Sequence, residues 1–213
     1  MGLIQRAIQS KQLYFCYEPI VMTLNGMTVG YEQLVRLKNG NGTADFISGL
    51  SLTDRYNLDV YTIEQAVSFI NLNNVPVTVN IFNENLELAI KSLDGVSLKQ
   101  RIGIEIHESV IDDRAHKLMM MRPDFWWLLD DFTSRENFAH TSMSTRFREI
   151  PVTAKLPYLH TEALLSGQLL IDPIPSSWIL IAEGATRDNL TDLFKKGVLL
   201  AQGRQLLEDL NVD

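Results

Sequence analysis

Phe125-Trp126-Trp127-Leu128-Leu129-Asp130-Asp131-Phe132 is an apolar run that stops at two adjacent carboxylates. A strand of a parallel sheet is covered on both faces and reads as a continuous hydrophobic run. Burying an unpaired carboxylate inside such a strand would be very costly. At the C-terminal end of the strand the pair makes sense if a cation waits there. The same grammar, a hydrophobic run closed by a chemically capable polar residue, recurs along the chain.

Outward from that stretch, Arg101 to His107 reads as a strand delivering Glu105, with Glu108 just beyond it. Val75 to Phe82 delivers Asn80, and Thr28 to Val35 carries Glu32 and Leu34 and leads into Arg36. Tyr14 to Met22 is a strand with Pro19 inside it, and Asn25-Gly26 is the turn that folds it back on the next strand. On the C-terminal side, Val152 to Leu156 carries Lys155, Trp178 to Ala182 ends at Glu183, and Val198 to Ala201 leads into Gln202-Gly203. Between the strands, Leu52 to Leu72 has helical spacing, with Asp54, Arg55, Asp59 and Glu64 forming its solvated face. Glu84 to Ser92, Arg114 to Met120, His160 to Leu170 and Arg187 to Lys196 are shorter helical segments.

Strand-helix alternation predicts a parallel sheet with covering helices. Seven strands place a functional residue at or near their ends: Glu32, Asn80, Glu105, Asp130 with Asp131, Lys155, Glu183 and Gln202. In an α/β fold of the (β/α)8 barrel type all such ends surround one mouth, where active sites sit. An open sheet would spread them along an edge. The Tyr14 strand supplies the eighth stave, and the tight turn after it makes it antiparallel. No linker, repeat or low-complexity tract divides the chain, so one domain over 1–213 is expected.

Composition narrows the function. The 213 residues are 46% hydrophobic and carry a net charge of -7, with a pI of about 5.1. That balance argues against binding a nucleic acid polymer, which needs a basic face. Cys16 is the only cysteine, which excludes an intrachain disulfide and a thiolate metal site. Met1 to Leu13 lacks the apolar core of a secretory signal, Arg6 breaks the myristoylation pattern, and no run is long enough to span a membrane. A cytoplasmic protein is expected.

Glu32-Gln33-Leu34-Val35-Arg36 resembles the signature of EAL domains, bacterial phosphodiesterases that open cyclic di-GMP, with Gln33 in place of Ala. The resemblance continues in order. Tyr17-Glu18-Pro19-Ile20 is similar to the family's first strand and Val79-Asn80 to its Asn strand. Glu105-Ile106-His107-Glu108 resembles Glu-x-Thr-Glu, and Asp130-Asp131-Phe132 resembles Asp-Asp-Phe-Gly. Lys155 resembles the Lys of Lys-x-Asp, Ala182-Glu183-Gly184 the Ala-Glu-Gly, and Gln202-Gly203 the terminal Gln-Gly. Each fragment is weak alone; together they cover about Tyr14 to Gly203.

The resemblance implies roles. Glu32, Asn80, Glu105 and Asp130 match the ligands of one divalent ion, and Asp130 with Asp131 those of a second. An all-oxygen set suits Mg2+ or Mn2+. Lys155 matches the residue that activates or holds the attacking water, Glu183 one that orients it, and Gln202 a polar partner on the rim. Leu34 and Arg36 match substrate contacts, and Glu108 matches the anchor of the loop after the Asp-Asp strand. The implied activity is metal-dependent hydrolysis of cyclic di-GMP to pGpG. The alternative is an inactive relative that binds cyclic di-GMP or a regulatory protein partner; a homodimer is the other partner such a fold admits.

Several positions depart from the family pattern. Thr133 replaces the Gly after Asp-Asp-Phe, and Ser134 to Phe147 shares little with the family's loop. Pro157 replaces the Asp of Lys-x-Asp, Thr186 a second Glu, and Arg204 stands where an aromatic follows Gln-Gly. Losing such outer partners typically costs about 10- to 100-fold in metal affinity or activity. Trp126 and Trp127 are expected to pack, Met119-Met120-Met121 to fill, His107 to be structural, and His116, His140 and His160 share no metal spacing.

Overall fold

Eight strands close into a barrel in chain order: β1 (Leu13–Met22), β2 (Thr28–Leu37), β3 (Val77–Asn80), β4 (Ile102–His107), β5 (Trp126–Asp130), β6 (Thr153–Leu156), β7 (Ile179–Ala182) and β8 (Leu200–Gln202). The computed structural model describes residues 2–38, 42–107, 113–130, 132, 150–169 and 177–206. Asp131, Glu108, Thr133, His140 and the Ser134 to Phe147 segment lie outside the described residues. β1 runs antiparallel to both its neighbours, β2 and β8, and every other pairing is parallel. The expected antiparallel stave is therefore present, and its cause is the Asn25-Gly26 turn. Gly26 sits at φ +70°, a conformation costly for any side chain but glycine's. Its N–H donates to the Met22 carbonyl at 2.8 Å.

Residues two apart in a strand share a face. In β4, Ile102, Ile104 and Ile106 join the main outer core, while Gly103, Glu105 and His107 share the opposite face. In β5, Trp127 and Leu129 belong to that outer core, whereas Leu128 packs with Ile20 and Ile181 in a separate small cluster against Val29, Trp126 and Leu200. That cluster is the apolar floor of the barrel. Gly103 has no room for a side chain, because a Cβ there would run into Thr78 and Leu128. Both tryptophans pack as expected, their indole N–H groups satisfied by the Thr153 hydroxyl (Trp126, 2.8 Å) and the Arg122 carbonyl (Trp127, 2.9 Å).

Helices cover the barrel: α1 (Leu3–Gln9), α2 (Thr43–Ser48), α3 (Leu52–Asn73), α4 (Leu86–Ser92), α5 (Asp113–Met121), α6 (Tyr158–Leu165) and α7 (Leu190–Lys195). The pattern missed α1 and α2, which are too short for periodicity to show. α3 corrects a second expectation. Its inward face holds Leu58, Asp59, Thr62, Ile63, Ala66 and Ile70, so Asp59 is buried rather than solvated, while Leu52 and Tyr56 are exposed. The methionines split too, Met119 buried and Met120 and Met121 exposed, so only the first fills a core. Among the described residues no helix is long and apolar enough to cross a membrane.

Candidate active site

The polar strand ends converge on Lys155. Its side chain rises from β6 inside the barrel and is 2% exposed. Nζ lies 3.0 Å from Glu105 Oε2, 3.1 Å from Glu183 Oε1, 3.2 Å from Asp130 Oδ1 and 3.3 Å from Glu32 Oε2. These carboxylates come from β4, the end of β7, β5 and β2. Asn80, at the end of β3, donates to Glu32 Oε1 at 2.9 Å, and Gln202 of β8 donates to Glu32 Oε2. Thus every described residue expected at the mouth is there: Glu32, Asn80, Glu105, Asp130, Lys155, Glu183 and Gln202.

Local structure explains the placement. Parity along β2 puts Glu32, Leu34 and Arg36 on one face, and in the register Asn80 stands opposite Glu105 and His107 opposite Asp130. After β7 the chain must turn sharply: Gly184 sits at φ +69°, and a Cβ there would overlap the Tyr158 ring. A Cβ on Gly203 would strike the Ala185 backbone. The two glycines therefore let the rims after β7 and β8 close together, which brings Glu183 and Gln202 to the same mouth.

Burial and charge compete here. Burial alone pushes the Lys155 ammonium toward neutrality, but Glu105, Glu32, Asp130 and Glu183 outweigh it and raise its pKa well above the ordinary lysine value. Burial likewise opposes ionisation of Glu32, yet Lys155 and the hydrogen bonds from Gln202 and Asn80 hold it below the usual carboxylate range. Glu105 is pushed up to about 8 by burial and by the neighbouring Glu32, against the pull of Lys155. Glu183 is raised by burial, with Lys155 opposing.

Sequence reasoning missed three participants. Thr78, two residues before Asn80 and so on the same face, donates its hydroxyl to Glu105 Oε1. Glu18 stands opposite Glu32 across β1 and β2, and its pKa is raised by burial and by Glu32. Parity from Ile20 and from Asn80 was the available signal for both. Asp59 lines the adjoining cavity, accepting from Asn85 Nδ2 at 2.7 Å and from the Phe82 N–H at 3.5 Å; nothing in a helical pattern marks it.

Two cavities open beside the cluster, of about 830 and 680 Å3. They share Leu34, Asn80, Asp130 and Arg204; Arg36 lines the larger, and Lys155, Glu183 and Gln202 the smaller. The donor set fits a hard divalent cation in chemistry: Glu32, Glu105, Asp130 and Asn80 offer oxygen only. Four carboxyl groups also share a single ammonium, and their mutual repulsion helps raise Glu105 and Glu183, so a further positive charge would be favoured. In the present geometry no three His, Cys, Asp or Glu among the described residues are spaced to grip an ion. The carboxylates close on Lys155 instead.

No family model and no curated protein matches this chain. Solved structures do. The EAL enzyme Bd1971, in its cAMP and cyclic-di-GMP bound form, superposes with a TM-score of 0.70 at 18% identity, over 95% of this chain and 63% of that one. The PaMucR phosphodiesterase in complex with c-di-GMP gives 0.66 at 17%, over 95% of this chain and 94% of that one. The fold is that of EAL domains. A calcium and c-di-GMP complex of BlrP1 from Klebsiella pneumoniae is similar too, with a TM-score of 0.62 at 18% identity over 92% of this chain and 55% of that one. A manganese complex of BlrP1 is also similar. This chain thus spans under two thirds of Bd1971 and about half of BlrP1.

Proposed function

We propose that the protein hydrolyses cyclic di-GMP to linear pGpG with the help of divalent metal ions, Mg2+ or Mn2+. The observation that carries this is the convergence of Glu32, Glu105, Asp130 and Glu183 on one buried lysine at the barrel mouth, next to cavities large enough for a dinucleotide. Glu32, Asn80, Glu105 and Asp130 would hold one ion, and Asp130 with Asp131 a second. When bound, such ions neutralise charge on phosphoryl oxygens and make a water more acidic. The chain's own groups do the rest. Lys155, kept protonated by its carboxylates, acts as a donor that holds the attacking water or a phosphoryl oxygen rather than as a base. Glu183, more exposed than Glu32 or Glu105, orients that water and receives its proton. Gln202 fixes Glu32, while Leu34 and Arg36 seat the ligand. The water oxygen bonds to phosphorus as one ester bond of the ring breaks, and the proton taken up by Glu183 passes to the released ribose oxygen, leaving a linear dinucleotide with a free hydroxyl.

A second reading is a receptor that binds cyclic di-GMP, or a regulatory protein, without cleavage. It is favoured by what became of two departures. The Pro157 carbonyl accepts the N–H groups of His160 and Thr161, opening α6, and the Thr186 N–H donates to Asn189 Oδ1. Both positions serve helix starts and add no carboxylate to the mouth. The deciding experiment is incubation with cyclic di-GMP and Mg2+ or Mn2+, analysed by chromatography. Appearance of pGpG that is lost in Glu32→Ala supports the enzyme; retained activity in that variant refutes the site. Tight binding without product supports the receptor.

A further inference from the structure

Arg204 follows directly on Gly203, is exposed, and lines both cavities beside the carboxylate cluster. Two other basic side chains in those walls have their charge offset by carboxylates, Lys155 by four of them and Arg55 by Glu84 at 3.0 Å. Arg36 and Arg204 remain. Arg36 donates to the Val35 carbonyl at 3.0 Å. Among the described residues neither guanidinium has a carboxylate at ion-pair distance.

A protein of net charge -7 with an acidic cluster at the mouth repels an anion. A ligand carrying two phosphodiesters therefore needs cations held away from that cluster. Only β1 lies between β2 and β8, so Arg36, on β2, and Arg204, just past β8, stand in one sector of the mouth and line the same cavity. A guanidinium presents a planar fork of donors matched to phosphate oxygens.

We infer that Arg204, together with Arg36 in the wall of the same cavity, binds a phosphate of the ligand, and so sets the affinity of this site for a doubly charged cyclic dinucleotide. The inference rests on cyclic di-GMP being the ligand proposed above. Its test is calorimetric titration of cyclic di-GMP, with Ca2+ present, into wild type, Arg204→Ala and Arg204→Lys at low and high salt. Wild type binds. Arg204→Ala binds at least about 10-fold more weakly, as loss of a charge-assisted hydrogen bond requires. Arg204→Lys loses less, and the gap between wild type and Arg204→Ala narrows as salt rises. The thermal midpoints of all three coincide, since the side chain is exposed. Affinity of Arg204→Ala within twofold of a wild type that binds overturns the inference alone. A wild type that does not bind overturns the functional reading and this inference together.

Discussion

Two acids buried within a few strands of each other are held by opposite means. Glu32, 4% exposed, meets an ammonium and two side-chain amides and is held below the usual carboxylate range. Asp59, 2% exposed, meets chiefly the neutral donors Asn85 and the Phe82 N–H, with only a weak pull from Arg55. Burial, the largest influence on it, pushes its pKa up to about 7. Equal burial thus has opposite outcomes, and the ammonium and two amide donors that Glu32 meets together make the difference; Glu105, which has the ammonium but lies between the charges of Glu32 and Asp130, is raised instead. The mouth gathers charge that the fold must compensate; the α3 acid is tolerated because it can hold its proton.

The largest expected effect comes from removing the compensation. Lys155→Met leaves the mouth carboxylates without their cation and should cost about 3–5 kcal/mol in urea denaturation at neutral pH, as for one partner of a buried pair. Product formation from cyclic di-GMP should vanish with it. Undiminished stability would mean that the acids neutralise one another by sharing protons.

Asp59 tests the other side. Its folded-state value of about 7 lies above the ordinary 3.8, so the folded protein keeps a proton that the unfolded chain loses. Its contribution is complete at acid pH, falls as pH rises above 3.8 and is gone once pH passes about 7. Asp59→Asn cannot titrate. The variant should therefore gain on wild type by roughly 1.4 kcal/mol per pH unit within that window, read from urea curves at several pH values. A difference that does not move with pH would break the comparison.

Thr78→Val removes a buried hydroxyl donor from Glu105 while keeping its shape, and should cost about 1–3 kcal/mol, with Thr78→Ser recovering most of it. Mn2+ affinity measured by calorimetry should weaken in parallel if Glu105 is a ligand. The smallest effect is expected at the surface: Glu84→Gln breaks the partly exposed pair with Arg55 and should change stability by less than about 1 kcal/mol.

Much of this was legible because strands carry a period of two. Hydrophobic runs ending at Glu105, Asp130, Lys155 and Glu183 marked the mouth, and the Asn25-Gly26 turn marked the antiparallel stave. Asp59 was illegible: its helix repeats polar residues on both faces, and which one is buried depends on where Phe82 and Asn85, between β3 and α4, come to lie. Thr78 and Glu18 were hidden for a related reason, since a threonine or glutamate inside a strand reads as pattern noise until closure turns its face inward. α1 and α2 are too short to announce themselves, and they gain order by packing Ile4, Ala7, Phe46 and Ile47 beside Leu13, Leu50 and Leu58.

By itself the order of residues determined the alternation of elements, the antiparallel sense of the first hairpin and the list of groups able to do chemistry, because these depend on local backbone preference and on which side chains tolerate burial. Only the tertiary structure decided that one ammonium faces four carboxylates, that Asp59 keeps its proton and that Arg204 stands over both cavities. Those outcomes depend on distances between strands far apart in the chain, and electrostatic energy follows distance and burial, not sequence separation.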